Sequence, residues 1–540
     1  MKRRTRILLS VLSGVLLSLA WLGFPGWTLF IAFLPLLYLD HFFTERKSEF
    51  RSVSFWSHAF LAFFIWNILT TWWIVHATAE GAIMANVTNS FLMSLTFWLA
   101  HIARRNFKSN LGYIAMVVFW ISFEYFHFHW DIEWPWLTLG NGFANNVKMV
   151  QWYEYTGYLG GTLWVLVINI LIFKLGLNWI QKQPVRKSVY LISAFSVLLI
   201  VPVTFSLIKY FSYVETENPK NIVIVQPNID PYSESYDAQA ENEKLEKFIN
   251  LAGSKTDIET DFIIGPETLF ENPGFWNEDK LNSNTQLMQL SGFLQSYPNT
   301  EMVFGVSSYK TYPDKKSATP TARTRNDMTY DMFNTAIFLG NNGQTQIYHK
   351  SILVVGVEKM PFAKYLGFMG DLVINIGGTT NSLGRQEEPS NFIPKDKIEV
   401  APVICYESVF GEFVTKYVQK GAQMIFIITN DGWWKNTPGY HQHLSFARLR
   451  AIETRRSIAR SANTGISCFI NQRGDVLQAT DWWVEASIKG SINANDKITL
   501  YVKFGDYIAR ISLLMSILLV LQLVSVWVMK KKGQLNKFRE

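Results

Sequence analysis

Three short stretches of the chain each carry an apolar run into a group that can do proton or acyl chemistry. Residues 262–267 (FIIGPE) pass from Phe262 through a Gly-Pro break to the carboxylate of Glu267. Residues 347–350 (IYHK) end on Lys350, and Glu358 follows eight residues later. Residues 400–407 (VAPVICYE) carry Cys405, Tyr406 and Glu407, and 426–434 (FIITNDGWW) come after them. A thiol attacks only as the thiolate. It therefore needs a base for its proton and fixed donors for the oxyanion that it creates. Glu267, Lys350 and Cys405 have the types for base, cation and nucleophile, and all three fall at predicted strand ends, where function collects in open α/β sheets. Singly, each has a bland explanation: an exposed loop acid, a solvated lysine and a cysteine buried as a small hydrophobe. The set is what points to chemistry.

The elements that must position this set lie between Asn221 and Asn493. Short β-branched runs predict strands at Ile222–Gln226, Asp261–Gly265, Met302–Ser308, Thr335–Leu339, Val400–Cys405, Met424–Thr429 and Ile466–Asn471. Amphipathic stretches predict helices at Ser235–Leu251, Leu281–Ser296, Phe410–Lys420 and His441–Ala462. Strands alternating with helices predict an α/β fold around a sheet. Asp314–Arg325 and Gly377–Lys395 read as polar loops. Leu353–Gly370 is aromatic and rich in Met, and is expected to form a lid or to dip into lipid.

The rest of the chain is built for a different solvent. Of 540 residues only 17% are charged and 15% are aromatic, yet mean hydropathy is just +0.09. The apolar residues must therefore be concentrated. They form eight runs, at Ile7–Phe24, Trp27–Leu39, Phe55–Val75, Ser90–Ala103, Gly112–Phe126, Leu159–Leu177, Val189–Tyr210 and Tyr507–Met529. These are predicted bilayer-crossing helices, although the second and fourth are short for the purpose. The basic start followed by an apolar run looks like a signal peptide, but further spans follow at once without a small-residue cleavage site, so a retained first helix is expected.

Lys and Arg alternate between loops. They gather at Lys2, Arg3, Arg4 and Arg6, at Arg46, Lys47 and Arg51, at Arg104, Arg105 and Lys108, at Lys182, Arg186 and Lys187, and at Lys530, Lys531, Lys532, Lys537 and Arg539. The intervening loops hold almost none, Lys148 apart. By the positive-inside rule both termini are cytoplasmic and the segment between the seventh and eighth spans lies outside. The net charge of +7 is thus largely topological and does not call for nucleic acid. The expected organisation is a membrane domain at 1–212, an outer catalytic domain at 213–504, and a last span with a basic tail at 505–540. Two cysteines exclude a disulfide scaffold and a multi-thiolate zinc site.

At Gly265-Pro266-Glu267, at Tyr348-His349-Lys350 with Glu358, at Cys405-Tyr406-Glu407 and at Asn430-Asp431-Gly432-Trp433 the chain resembles the carbon–nitrogen hydrolase (nitrilase) superfamily, with its Glu-Lys-Cys triad. Together with the spans before and after, it resembles the apolipoprotein N-acyltransferases over nearly its whole length. The resemblance implies a multi-span α-helical membrane domain joined to an α/β nitrilase-like αββα sandwich on the periplasmic side of the bacterial inner membrane. It implies transfer of an acyl chain from a phospholipid, with phosphatidylethanolamine the expected donor, to the α-amino group of the S-diacylglyceryl N-terminal cysteine of apolipoproteins. Cys405 would form a thioester, Glu267 would accept its proton, and Lys350 with a backbone N–H near Tyr406 would hold the oxyanion. Glu358 and Glu407 would orient Lys350. No metal or soluble cofactor is implied; the partners are phospholipid, apolipoproteins and the bilayer, not nucleic acid, and a monomer is expected.

Two departures stand out. The family commonly reads Leu-Val-Pro-Phe-Gly-Glu after the lysine, where this chain has Leu353-Val-Val-Gly-Val-Glu358. The family often has a Trp soon after the first strand, where this chain offers Tyr232 and Tyr236. Both bear on acyl-chain and head-group preference. An alternative is a membrane-anchored amidase or nitrilase that uses water as the second nucleophile; another is a transporter or receptor with a catalytically dead outer domain. The many aromatic-rich spans favour a lipid substrate, and the scarcity of charged residues inside them disfavours a transporter.

Several residues are left over. Cys468, inside the apolar run 466–470, is expected to be an inert buried thiol, a Cys405–Cys468 disulfide being the other possibility. His441 and His443 are expected at a cap or on the surface, because residues two apart on a helix do not share a face. Arg448, Arg450, Arg455, Arg456 and Arg460 are expected on a solvated or salt-bridged helix face. The loop 128–158 is expected to be an interfacial anchor or a lipid-access wall, with His127 and His129 as anchors or hydrogen-bonding groups. Glu124 sits near the end of the fifth span, with no role assigned.

Overall fold

A computed structural model describes residues 1–107, 109–232, 238–270, 275–362 and 382–532. The chain divides into two compact units. One comprises Met1–Trp72, Ala82–Phe211 and Asp506–Glu540; the other comprises Trp73–Gly81 and Ser212–Gly505.

In the first unit the apolar runs are helices. Among the described residues seven are long and apolar enough to cross a membrane: Arg3–Leu22, Gly26–Glu45, Val53–His76, Ala79–Asn106, Tyr158–Ile180, Val185–Ser212 and Tyr507–Lys531. Asn110–Phe126 is a shorter apolar helix. These lie on the eight predicted runs, and the fourth extends well past its predicted bounds. The second is broken. A 3-10 turn at Gly26–Thr28 and one α-turn at Leu29–Ala32 precede the helix Leu34–Glu45, which has Pro35 in its first turn. Proline has no N–H to give. Buried Asn169 takes up the freed backbone groups, donating to Leu29 O at 2.7 Å and accepting from Phe33 N at 3.0 Å. A helix break in an apolar layer survives when a neighbour supplies such bonds.

Much of the aromatic stretch 128–158 packs into the core of this unit: Trp136, Leu137, Leu139, Phe143 and Tyr153 are buried. Glu124 accounts for this. Its carboxylate accepts from Trp120 Nε1 and Leu139 N, each at 2.9 Å, and from Thr162 Oγ1 at 2.7 Å. Glu124 therefore ties the loop to two helices. Trp130 Nε1 donates to His127 Nδ1 at 2.9 Å, so His127 Nε2 is left to donate to Asn89 Oδ1 at 3.1 Å.

The second unit holds two sheets. The first contains β1 (Pro219–Gln226), β2 (Phe262–Ile264), β3 (Trp276–Asn277), β4 (Glu301–Tyr312), β5 (Arg323–Arg325), β6 (Met328–Leu339), β7 (Thr345–His349) and, at its other end, a strand from Ala486–Asn493. The second contains β8 (Val400–Ile404), β9 (Met424–Thr429), β10 (Ile458–Ala462), β11 (Cys468–Ile470) and β12 (Val476–Ala479). The Ala486–Asn493 strand is β13. The first sheet runs β13-β1-β2-β4-β6-β5, with β3 on β4 and β7 on β6; the second runs β12-β11-β10-β9-β8.

Strand periodicity makes the layers, because successive side chains point to opposite faces. Ile222 and Ile224 of β1 belong to a core shared with Val403, Ile425 and Ile427 of the second sheet. Val223 and Val225 of the same strand belong to another core, with Leu245, Phe248, Leu287 and Leu290 from the helices Ala238–Gly253 and Thr285–Leu294. Val414 and Tyr417 of the helix Gly411–Gln419, and Ala447 and Ala451 of the helix Pro438–Thr454, cover the second sheet. The order is helix, sheet, sheet, helix: the αββα sandwich.

One predicted element is wrong in kind. The expected helix His441–Ala462 ends at Thr454, where Arg455 turns left-handed (φ +51°), and 458–462 forms β10 inside the second sheet. Of the solvated or salt-bridged face expected for the arginines, the solvated half fails, while Arg450 pairs with Glu453 and Arg460 with Asp431. Arg450, Arg455, Arg456 and Arg460 are buried, and the first three spend donors on loop carbonyls: Arg450 on Val409, Arg455 on Gln472, Arg456 on Ala422 and Lys497. Such partners are distant in sequence, so no local pattern announces them. Within the predicted loop Asp314–Arg325 the structure adds β5, paired with β6 across a turn in which Asn326 and Asp327 both have positive φ. The Leu353–Gly370 and Gly377–Lys395 expectations fall partly outside the described residues, and Tyr236 lies outside them.

Candidate active site

The loop after β2 carries Glu267. Gly305 of β4 passes directly beneath it: a Cβ there would sit 2.7 Å from Glu267 Cα and 2.7 Å from Thr268 N. Glu267 is buried at 6% exposure and accepts three hydrogen bonds, from Lys350 Nζ at 3.0 Å, Asn334 Nδ2 at 2.8 Å and Asn430 N at 3.0 Å.

Lys350 follows β7 and is 1% exposed. Its Nζ lies between Glu267 Oε1 at 3.0 Å and Glu358 Oε1 at 2.9 Å. Burial alone would discharge this ammonium, but the two carboxylates, Glu267 and Glu358, outweigh it and raise its pKa well above the usual lysine range. Glu358 is fixed in turn by Val354 N at 2.8 Å. The altered loop motif therefore still closes on the lysine. Asn334 Nδ2 reaches Glu358 Oε1 at 2.9 Å as well.

Cys405 is the first residue past β8. Its φ is +49°, a conformation costly for any residue with a Cβ. It opens a 3-10 turn, Cys405–Val409, that swings the chain away from the sheet. Burial, and after it the negative charge of Glu267, push the thiol pKa well up, while Lys350 pulls the other way. This direction favours the neutral thiol over the thiolate. Cys468 is a second buried free thiol, on β11, pushed up to about 11 by burial.

Glu407 does not bond to Lys350. Its Oε1 accepts from Tyr348 OH and Ser351 N, each at 2.6 Å, and its Oε2 accepts from Ile404 N at 2.8 Å. It braces the Lys350 and Cys405 segments against each other, so it acts on the lysine through the backbone. Tyr406 is buried at 5% exposure with its ring against Phe410.

Two groups escaped the sequence reading. Asn334 fell one residue before the predicted strand Thr335–Leu339, and the observed strand also buries Thr329, Asp331 and Thr335, so no single polar residue marked it out. His443 was expected at a cap or on the surface. It is buried, with Nδ1 3.0 Å from Asp431 Oδ1 and Nε2 3.2 Å from the Cys405 carbonyl. An aromatic wall stands near by in the same unit. Trp73 donates to Gln442 and packs against Trp434, and Tyr232 OH donates to Trp433 O at 2.7 Å. Among the described residues no group of three or more His, Cys, Asp or Glu is arranged to hold a metal ion.

A thiol, a buried acid and a buried ammonium thus lie at the strand ends of an αββα sandwich. Residues 221–498 match the carbon-nitrogen hydrolase family model. The chain belongs to the carbon–nitrogen hydrolase family. Residues 13–171 match a second model, the apolipoprotein N-acyltransferase N-terminal domain. This carbon–nitrogen hydrolase is similar to the apolipoprotein N-acyltransferase of Chlorobaculum tepidum, with 29% identity covering 94% of each chain. It is similar to that of Geobacter metallireducens, with 26% identity covering 94% of this chain and 93% of the relative. It also resembles a solved nitrilase-superfamily structure from Saccharomyces cerevisiae at 15% identity, with 52% of this chain and 93% of that one covered and a TM-score of 0.36. By these relationships the protein is a multi-pass membrane acyltransferase.

Proposed function

We propose that this acyltransferase moves an acyl chain from a membrane phospholipid, phosphatidylethanolamine in the first instance, to the α-amino group of the S-diacylglyceryl N-terminal cysteine of apolipoproteins. The observation that carries the reading is the pairing of Glu267 with Lys350 at 3.0 Å beside the left-handed Cys405 turn. Cys405 Sγ attacks the ester carbonyl, and Glu267 accepts the thiol proton. Lys350 Nζ and the Tyr406 N–H hold the oxyanion. As the tetrahedral adduct collapses, the C–O bond breaks, Glu267 returns the proton to the leaving alkoxide, and a lysophospholipid departs from a Cys405 thioester. The apolipoprotein amine then attacks the thioester carbonyl. Glu267 takes the amine proton and passes it to the departing thiolate, which restores Cys405. Glu358 holds Lys350 in place, and Glu407 fixes the two segments that carry Lys350 and Cys405.

One chain supplies all three groups, so a monomer suffices. The basic loops at Arg46–Arg51, Arg104–Lys108 and Lys182–Lys187 support a bacterial inner-membrane protein with cytoplasmic termini and a periplasmic catalytic unit at 213–504.

The test is the intact mass of detergent-purified protein after incubation with phosphatidylethanolamine. Wild type should gain one hydroxylamine-labile acyl chain and Cys405→Ala none, and the chain should pass to a diacylglyceryl-cysteine peptide. Label on Cys468 would make the nucleophile wrong. Release of the chain to water with no transfer to the peptide would favour an amidase-like hydrolase.

A further inference from the structure

The carbonyl of Cys405 faces a buried chain of side chains that the proposed reaction does not use. Ser408 Oγ donates to Cys405 O at 2.7 Å. His443 Nε2 lies 3.2 Å from the same oxygen and 3.0 Å from Ser408 Oγ. On its other side the imidazole meets Asp431 Oδ1 at 3.0 Å, and Arg460 Nη2 holds Asp431 Oδ2 at 2.5 Å. Thr429 Oγ1 adds a third donor to Asp431, at 2.9 Å. Ser408, His443, Asp431 and Arg460 are each no more than 1% exposed. Of these four buried polar side chains Ser408 and His443 reach the carbonyl, Asp431 holds His443, and Arg460 holds Asp431 while also donating to Ile466 O; such burial is costly unless the groups find partners.

That carbonyl shares a peptide plane with the Tyr406 N–H. In a trans peptide the two point in opposite directions. A group that fixes the carbonyl therefore aims the N–H, and a carbonyl that accepts hydrogen bonds polarises the N–H across the plane into a stronger donor. The left-handed Cys405 takes this peptide out of β8 and into the short 3-10 turn Cys405–Val409. Glu407 secures the N–H of Ile404, the last residue of β8, at 2.8 Å. The carbonyl side is secured by Ser408 and His443.

We propose that Ser408 and His443 are positioning residues that aim the Tyr406 N–H at the oxyanion by holding the Cys405 carbonyl, with Asp431 and Arg460 fixing the imidazole. The inference rests on the reading of Cys405 as the acylated nucleophile. It predicts that the two residues matter when an oxyanion forms and not when the thiol reacts without one.

The experiment measures two single-turnover rates at Cys405 in the full-length protein in detergent. One is acylation by phosphatidylethanolamine, which passes through an oxyanion. The other is alkylation by iodoacetamide, which displaces iodide and forms none. Both are read by peptide mass. Ser408→Ala and His443→Leu should slow acylation about 10- to 100-fold while alkylation stays within about twofold of wild type. Ser408→Thr and His443→Gln, which keep a donor, should recover most of the acylation rate. A parallel fall in both rates would mean that the network only shapes the turn, and unchanged acylation would mean that it does not aim the donor; either overturns the inference. If wild type acylates and the variants match it, this inference fails alone. If wild type does not acylate, the functional reading fails first.

Discussion

Asn334 Nδ2 lies 2.8 Å from Glu267 Oε1, and this one amide nitrogen also reaches Glu358 Oε1 at 2.9 Å. Asn334 therefore spaces two acids, buried Glu267 and half-buried Glu358, around a single ammonium. A hydrogen bond to a charged group is worth about 1.5–3 kcal/mol. Asn334→Leu should lower kcat by about 10- to 100-fold with a small change in KM, since the substrate ester need not touch it. Asn334→Asp should be worse, because it adds a third carboxylate beside one lysine. Steady-state transfer to a diacylglyceryl-cysteine peptide checks both; equal activity of Asn334→Asp and wild type would remove Asn334 from the site.

Glu267 and Cys405 oppose each other electrostatically at rest, as the acid's charge raises the thiol pKa. Glu267→Gln should thus make the resting thiol more acidic, and alkylation by iodoacetamide should begin at lower pH than in wild type. The same variant should lose acyl transfer by about 10²- to 10⁴-fold, because the base is gone. Opposite movement of the two rates is the signature. If alkylation also slows at every pH, Glu267 is doing something other than accepting the proton.

Two glycines separate space from conformation. A Cβ at Gly305 would collide with the backbone of 266–268, so Gly305→Ala should displace Glu267 and cut activity together with stability. Gly292 lies in the helix Thr285–Leu294, remote in sequence from the strand ends, and a Cβ there would meet nothing within 4 Å. Gly292→Ala should raise stability by about 0.5–1 kcal/mol and leave activity unchanged. Thermal unfolding in detergent alongside the transfer assay reads both.

Glu407 is fully buried, and burial pushes its pKa up from 4.5 to about 7 against the pull of its hydrogen bonds. A pKa raised by folding means that the protonated form stabilises the fold. That contribution is complete below about 4.5 and is lost as pH rises through about 7. Relative to Glu407→Gln, wild type should lose about 3 kcal/mol of stability across this window. A difference in unfolding midpoint that stays flat from about pH 4.5 to about pH 8 would contradict the assignment.

Much of the fold was legible because its signals are local. Eight apolar runs became helices, and short β-branched runs marked β1, β4, β6, β8 and β9. β10 was misread because Arg455, Arg456 and Arg460 look like a charged helix face until their buried partners, such as the Ala422 and Lys497 carbonyls, are seen. β13 went unseen because its eight residues are mostly half-buried and take their order from β1, more than 250 positions earlier, with which every one of them pairs.

By itself the sequence determined the partition between a membrane part and an α/β part, and the chemical types of Glu267, Lys350, Glu358 and Cys405. Residue type and short-range periodicity follow from local physics, and both survive without knowledge of partners. Only the tertiary structure decided that Glu407 braces backbone and does not touch Lys350, that Asn334 joins two acids, and that His443 turns inward to the Cys405 carbonyl. A hydrogen bond needs a distance and a direction. Those arise where the segments after β2, β7, β8 and β9 and Asn334 within β6 come together.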